Sequence, residues 1–179
     1  SSMMSSLREV LPGRDYCIPA TQDDRLNPLE VTEEAFLDMA MKKPVSIAKA
    51  LYSSFTGLSP LLASEICHRS SIDGDMPVDS LDDDGKKHLF NNLTWIADDV
   101  KNHTYRPNII FRGKEPIDFS CIELTQFSDY EAKNFDSISQ VLEEYYASRN
   151  VYTRIRQKSV DLRKIVSTAL DRNRKKYQL

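Results

Sequence analysis

The last 44 residues, Asp136 to Leu179, contain neither proline nor glycine. Within them Ile138, Val141, Tyr145, Ser148, Tyr152, Ile155, Ser159, Leu162, Val166, Ala169, Asn173 and Lys176 recur at alternating spacings of three and four. That is the seam of a coiled coil, polar at Ser148, Ser159, Asn173 and Lys176. Ser137 with Gln140 three residues later forms a capping box at its start. Such a seam needs a partner helix, and no comparable segment lies elsewhere in the sequence. The run is still in register at Leu179, so the chain is expected to stop within the first arm of a coiled coil. Charge sharpens the reading. Residues 149–179 hold ten Lys/Arg and two Asp/Glu, a net of +8, whereas the whole chain carries −3. A basic arm on an acidic body points to an anionic partner.

Upstream, residues 46–71 place two apolar-periodic segments around a five-residue break. Ile47, Ala48, Leu51, Tyr52 and Phe55 form one face, and Leu61, Leu62, Ile66 and Cys67 the other. Gly57 suits the end of a helix, Ser59 is an N-cap, and Pro60 at the first helical position loses no useful hydrogen bond. The stretch resembles a helix–hairpin–helix nucleic-acid module, with Phe55-Thr56-Gly57-Leu58-Ser59 as the hairpin. Ser59 departs from the second glycine of that pattern. A helix N-terminus with free N–H groups attracts phosphate, and an ordinary helical connection has the same signature.

Around this hairpin, Thr32 is expected to cap a short helix that turns Phe36, Leu37 and Met41 inward and ends at Pro44. Residues 80–102 read as a helix with Leu81, Phe90, Leu93, Ile96, Ala97 and Val100 inward and Trp95 in the core. Asp82, Asp83 and Asp84 read as helix-start acids, since the calcium-loop spacing is absent. The period then changes from helical to alternating in residues 107–112 and 117–124, with Gly113–Pro116 between. This predicts one β-hairpin. The fold class is therefore mainly α: a helix–hairpin–helix domain with one β-hairpin and a long C-terminal coiled-coil helix. The expected division is 1–31 as a linker from a missing N-terminal domain, 32–126 as the helix–hairpin–helix domain, and 127–179 as the first arm of a truncated coiled coil.

No apolar run is long enough for a membrane span, and residues 1–6 lack the basic and apolar regions of a signal peptide. Cys17, Cys67 and Cys121 are odd in number and widely spaced, which favours reduced thiols over a disulfide framework or a zinc site. The sequence shows no Ser/His/Asp order, no phosphate loop with lysine and no metal spacing, so no catalytic residue, cofactor or metal is assigned and no enzyme is expected. The nucleic-acid-binding candidates are Gly57, Leu58, Ser59 and Leu61 at the hairpin, Lys49 and Arg69 close to it in sequence, and Arg154, Arg156, Lys158, Arg163 and Lys164 on the arm.

Several stretches together resemble the NFACT family, ribosome-quality-control factors known in bacteria as RqcH and, in older usage, as fibronectin-binding protein A. They are Leu11-Pro12-Gly13-Arg14-Asp15-Tyr16 with Pro19, Leu26-Asn27-Pro28-Leu29, the run Thr56–Ile66 with His68-Arg69, Phe135–Ser139, Leu142-Glu143-Glu144-Tyr145-Tyr146, and Gln157-Lys158-Ser159. The resemblance implies an N-terminal domain before this segment, an antiparallel coiled coil and a second globular domain after it. It also implies a cytoplasmic, ribosome-associated protein that binds stalled large ribosomal subunits and tRNA and promotes alanine tailing of nascent chains, the tailing motif lying in the N-terminal domain. This segment is then the RNA- and ribosome-binding middle piece. The other readings are a fibronectin-binding adhesin, which the older name implies, and a DNA-binding helix–hairpin–helix module.

Overall fold

The computed structural model of the chain describes residues 25–177. The Leu11–Tyr16 motif, Cys17 and most of the expected linker lie outside the described residues. Helix α1 (Glu33–Ala35) continues into a π-turn over Phe36–Ala40. It begins where the Thr32 hydroxyl accepts from the Ala35 N–H at 3.2 Å, with Glu33 and Glu34 at the positive end of the helix dipole. Helices α2 (Ile47–Ser54) and α3 (Pro60–Arg69) flank the hairpin turn. Helix α4 spans Asp83–Lys101 and is capped by Asp82, whose carboxylate accepts from the Gly85 N–H at 2.7 Å. The helix-start role expected for these acids is the one observed.

The first-turn amides of α2 find partners in the loop before α4. Ile47 N–H donates to the Met76 carbonyl at 2.9 Å, and Ala48 N–H to the Gly74 carbonyl at 3.0 Å. A helix end left without partners in a packed domain would be costly, so this loop acts as the cap that Ser46 does not supply. Gly74 must come close to do it. A Cβ there would lie 3.1 Å from Ala48 Cβ and 3.2 Å from Cys67 Sγ.

Phe36, Ile47, Leu51, Phe55, Ile66, Leu89 and Leu93 pack into one core with Ala63 and Val78. Trp95 is not in it. It is 63% exposed, a correction to its expected core role. At 100° per residue Trp95 points about 160° away from Leu93, while Leu89, Ile96 and Val100 fall within about 60° of Leu93. Helical position outweighs the bulk of the indole.

Strands β1 (Asn108–Arg112) and β2 (Glu115–Ser120) form the expected hairpin, joined by Gly113-Lys114. Glu115 and Pro116 belong to β2 rather than to the turn. Proline is tolerated because β2 is an edge strand of a sheet ordered β2-β1-β3. The register shifts between Ile110 and Phe111, so that Pro116 faces Phe111 and Phe119 faces Ile109 on the same side. A third strand, β3 (Glu131–Asn134), extends what was expected as a lone hairpin. Its sequence Glu-Ala-Lys-Asn is exposed throughout and gives no alternation. Backbone pairing alone recruits it: β1 is buried at Ile109 and Ile110, so its second edge also needs partners.

Helix α5 runs from Ile138 to Tyr177. Ser137 Oγ accepts from the Gln140 N–H at 3.2 Å, and Gln140 Oε1 reaches back to the Asp136 N–H at 3.2 Å. The expected box is present, closed one residue upstream. Val141 and Tyr145 pack on Ile109, Phe111, Phe119 and Phe135 in a second core. Beyond Tyr152 every described residue of the helix is exposed.

Candidate nucleic-acid interface

Gly57 has φ +75°, a left-handed conformation that other residues adopt at a cost. It lets the chain reverse between α2 and α3. Two backbone bonds then hold the turn from outside, Leu26 N–H to the Ser54 carbonyl (2.8 Å) and Thr56 N–H to the Leu26 carbonyl (2.9 Å). Ser59 Oγ accepts from the Leu62 N–H at 3.2 Å, and Ala63 N–H returns to the Ser59 carbonyl at 2.9 Å. Pro60 has no N–H. Of the first-turn amides this leaves Leu61 N–H as the donor an anion could use. Leu58 is buried. Beside the turn an apolar groove of about 460 Å³ is lined by Leu58, Leu62, Leu93, Ile96 and Val100 among others. Arg25, Asn27 and Thr56 are its polar lining, and its apolar walls do not suit a phosphate.

Lys49 and Arg69 are not brought to the turn. The turn joins the end of α2 to the start of α3, so Lys49 in the first turn of α2 and Arg69 at the end of α3 stand at the far ends of the pair. Lys49 is exposed. Arg69 is committed internally: its Nε donates to Glu65 Oε1 at 2.9 Å and its Nη2 to the Glu123 carbonyl at 2.7 Å.

The arm candidates present the opposite picture. Arg154, Arg156, Lys158, Arg163 and Lys164 are all exposed on α5, and none makes an ion pair among the described residues. Arg149 belongs with them and was missed. It lies seven residues before Arg156, which lies seven before Arg163, so the three form one row along the helix. The seven-residue spacing was legible in the sequence. Arg149 Nη1 donates to the Tyr145 hydroxyl at 3.0 Å, with its guanidinium 5.8 Å from that ring's centroid. Arg156 approaches the sheet edge, where Glu115 is held below the usual carboxylate range, first by a hydrogen bond from Arg112 and to a smaller extent by Tyr152 and Arg156. The row therefore starts against the sheet and runs out along the free arm.

Sequence reasoning also missed Glu65. It is completely buried, in a place that disfavours the carboxylate anion. Burial alone would raise its pKa. Hydrogen bonds from the Thr125 hydroxyl, Arg69 and the Gln126 and Thr125 amides outweigh that and hold it below its ordinary value. Arg69, four residues on, is its one local partner; the Thr125 and Gln126 donors lie 60 and 61 residues away in sequence, beyond any local pattern. Cys67 is buried and its thiol is pushed up to about 11, first by burial and then by Asp73. Among the described residues no group of His, Cys, Asp and Glu is placed to hold a metal ion, and no helix is long and apolar enough to cross a membrane.

Comparisons with known proteins agree with this architecture. The family described as NFACT N-terminal and middle domains matches residues 1–179. The chain is 33% identical to the Rqc2 homolog RqcH of Bacillus subtilis over 99% of its own length and 29% of that protein's. It is 27% identical to the archaeal Rqc2 homolog aRqcH of Methanocaldococcus jannaschii, over 79% of this chain and 21% of that one. Among solved structures it resembles the fibrinogen binding protein from Staphylococcus aureus, with TM-score 0.54 and 26% identity over 76% of this chain and 46% of that one. The chain thus spans less than a third of the curated relatives. With the family matched from end to end, and with its hairpin, sheet and long helix in order, this chain belongs to the NFACT family.

Proposed function

We propose that this chain is the RNA- and ribosome-binding middle segment of an RqcH-like quality-control factor, with the basic face of α5 as its principal contact. The observation that carries this is the row Arg149, Arg156 and Arg163 with Lys164 beside it, exposed on a helix whose distal part has no partner within the described residues. In this reading the arm tracks folded RNA and the hairpin contributes the Leu61 amide at most. The whole protein would engage a large ribosomal subunit and tRNA and promote alanine tailing, with no covalent step assigned to these residues. Family membership supports the ribosomal setting, and the one-signed charge of the arm supports RNA as the ligand.

The test is reversal of Arg156, Arg163 and Lys164 to glutamate in the full-length protein, with circular dichroism to show that the helix survives. Co-sedimentation with ribosomal subunits is then followed across a salt series. Loss of three phosphate contacts should lower the slope of log affinity against log salt by about 2 to 3. Unchanged binding at every salt concentration would remove the arm from the interface. Loss of binding together with helix content would instead place these cations opposite acidic residues of a second arm. An adhesin reading, motivated by the name of the Staphylococcus aureus relative, predicts binding to immobilised fibrinogen or fibronectin that survives the reversal.

A further inference from the structure

We propose that Glu65 is the positioning residue that sets the direction of the α5 arm relative to the helical unit, acting through the strap Cys121–Gln126. This goes beyond the RNA-binding reading and does not depend on it. The strap lies between β2 and β3 and is gripped from both sides. On the helical side, Glu65 Oε1 accepts from the Thr125 N–H at 2.8 Å and from the Thr125 hydroxyl, and Glu65 Oε2 accepts from the Gln126 N–H at 3.1 Å. Arg69 reaches the Glu123 carbonyl, and Gln126 Nε2 donates to the Leu61 carbonyl at 3.2 Å. On the sheet side, Arg106 N–H donates to the Cys121 carbonyl, and Asn108 Nδ2, at the start of β1, donates to the Ile122 carbonyl, both at 2.9 Å. The Ile122 side chain is meanwhile buried in the helical core.

No side chain of β1, β2 or β3 belongs to that core among the described residues. The sheet carries the base of α5 through Val141 and Tyr145. The order of attachment is therefore α3, strap, β1, α5, and at its α3 end the Glu65 carboxylate takes three strap donors and Arg69, beside the single bonds Arg69–Glu123 and Gln126–Leu61. A carboxylate is the side chain with enough acceptor sites for this, since an amide in its place offers one acceptor oxygen and turns an NH₂ toward the remaining donors. The arm amplifies any slack. Its 40 residues reach about 60 Å, so a tilt of about 10° at the base moves the far end about 10 Å.

The test is Glu65→Gln in the full chain, with fluorophores introduced through non-natural amino acids at the exposed positions Asp98 on α4 and Asp161 on α5. Single-molecule energy transfer reads their separation, and amide hydrogen exchange on α3 reports whether the helical core stays folded. With the core intact, a shift or broadening of that separation of about 6 Å, as expected for a 10° tilt at residue 161, supports the proposal. An unchanged, equally narrow distribution overturns it. If Glu65→Gln loses α3 protection, Thr125→Val decides in its place, because it removes the hydroxyl donor alone. Broadening with Thr125→Val supports the positioning role, and an unchanged distribution overturns it.

Discussion

Helices α3 and α5 are written with the same period, and the structure treats them in opposite ways. Ala63, Ile66 and Cys67 of α3 are at most 2% exposed, while Ile155, Leu162 and Val166 of α5 are 61%, 62% and 56% exposed. Both helices have an apolar stripe at three-and-four spacing. The difference is what lies opposite. Helix α3 meets α2, α4 and the strap, whereas α5 meets the sheet over its first turns, its last approach being Arg156 beside Glu115, and every described residue beyond Tyr152 is exposed. Charges divide in the same manner. Arg69 on α3 is tied to Glu65 and the Glu123 carbonyl, and no cation of the arm makes an ion pair within 4 Å among the described residues. A helical stripe therefore specifies that burial is needed, and the neighbours decide whether it occurs within this chain.

The largest test of this contrast is Glu65→Ala. It removes the buried acceptor of Arg69 and of three strap donors, groups that are themselves half-buried or exposed, and should cost about 2–3 kcal/mol in denaturant unfolding. A cost below 1 kcal/mol would mean that the helical unit and the strap are not joined as described. The same carboxylate fixes an acid limb. Its pKa is depressed in the fold relative to 4.5, so its stabilisation is complete above about pH 4.5 and is lost as pH falls through the folded value. Thermal midpoints measured from pH 6 downward should drop less steeply for Glu65→Gln than for the wild type, and parallel curves would assign the acid limb to other groups.

A smaller effect is expected at the turn. Gly57→Val should cost about 1–2 kcal/mol from backbone strain alone, because a Cβ there meets nothing within 4 Å. Gly57→Ala should then cost nearly as much, and a difference of several kcal/mol between the two would show steric crowding that the geometry lacks. Least of all, Leu162→Ala on the arm should change the stability of this chain by less than about 0.5 kcal/mol, against about 2–5 kcal/mol for Ile66→Ala in the core. Equal costs would mean that the arm of this chain is already covered in solution, and sedimentation equilibrium would show by what.

Much of this molecule is legible in its sequence. The Gly57–Ser59 turn, the Asp82 cap and the capping box that opens the long helix rest on contacts within a few residues, and the change of period at residue 107 is written in the residues themselves, so local chemistry marks them. Ser59 and Gly57 write their turn wherever it is placed. The exposure of Trp95 is also legible in the sequence, since its helical angle opposes Leu93. The strand β3 and the residue Glu65 were not readable. β3 follows from an open edge of β1, and the strap donors that hold the Glu65 carboxyl below its ordinary value lie 60 residues distant. The two arginine groups make the same point: Arg69 and Arg163 are both cations on amphipathic helices, and packing of the strap against α3 makes one a strut while the other stays exposed on the arm. Sequence determined the elements and their charges, because those depend on neighbours along the chain. Tertiary structure decided which charges remain available to a partner, because desolvation and pairing depend on neighbours in space.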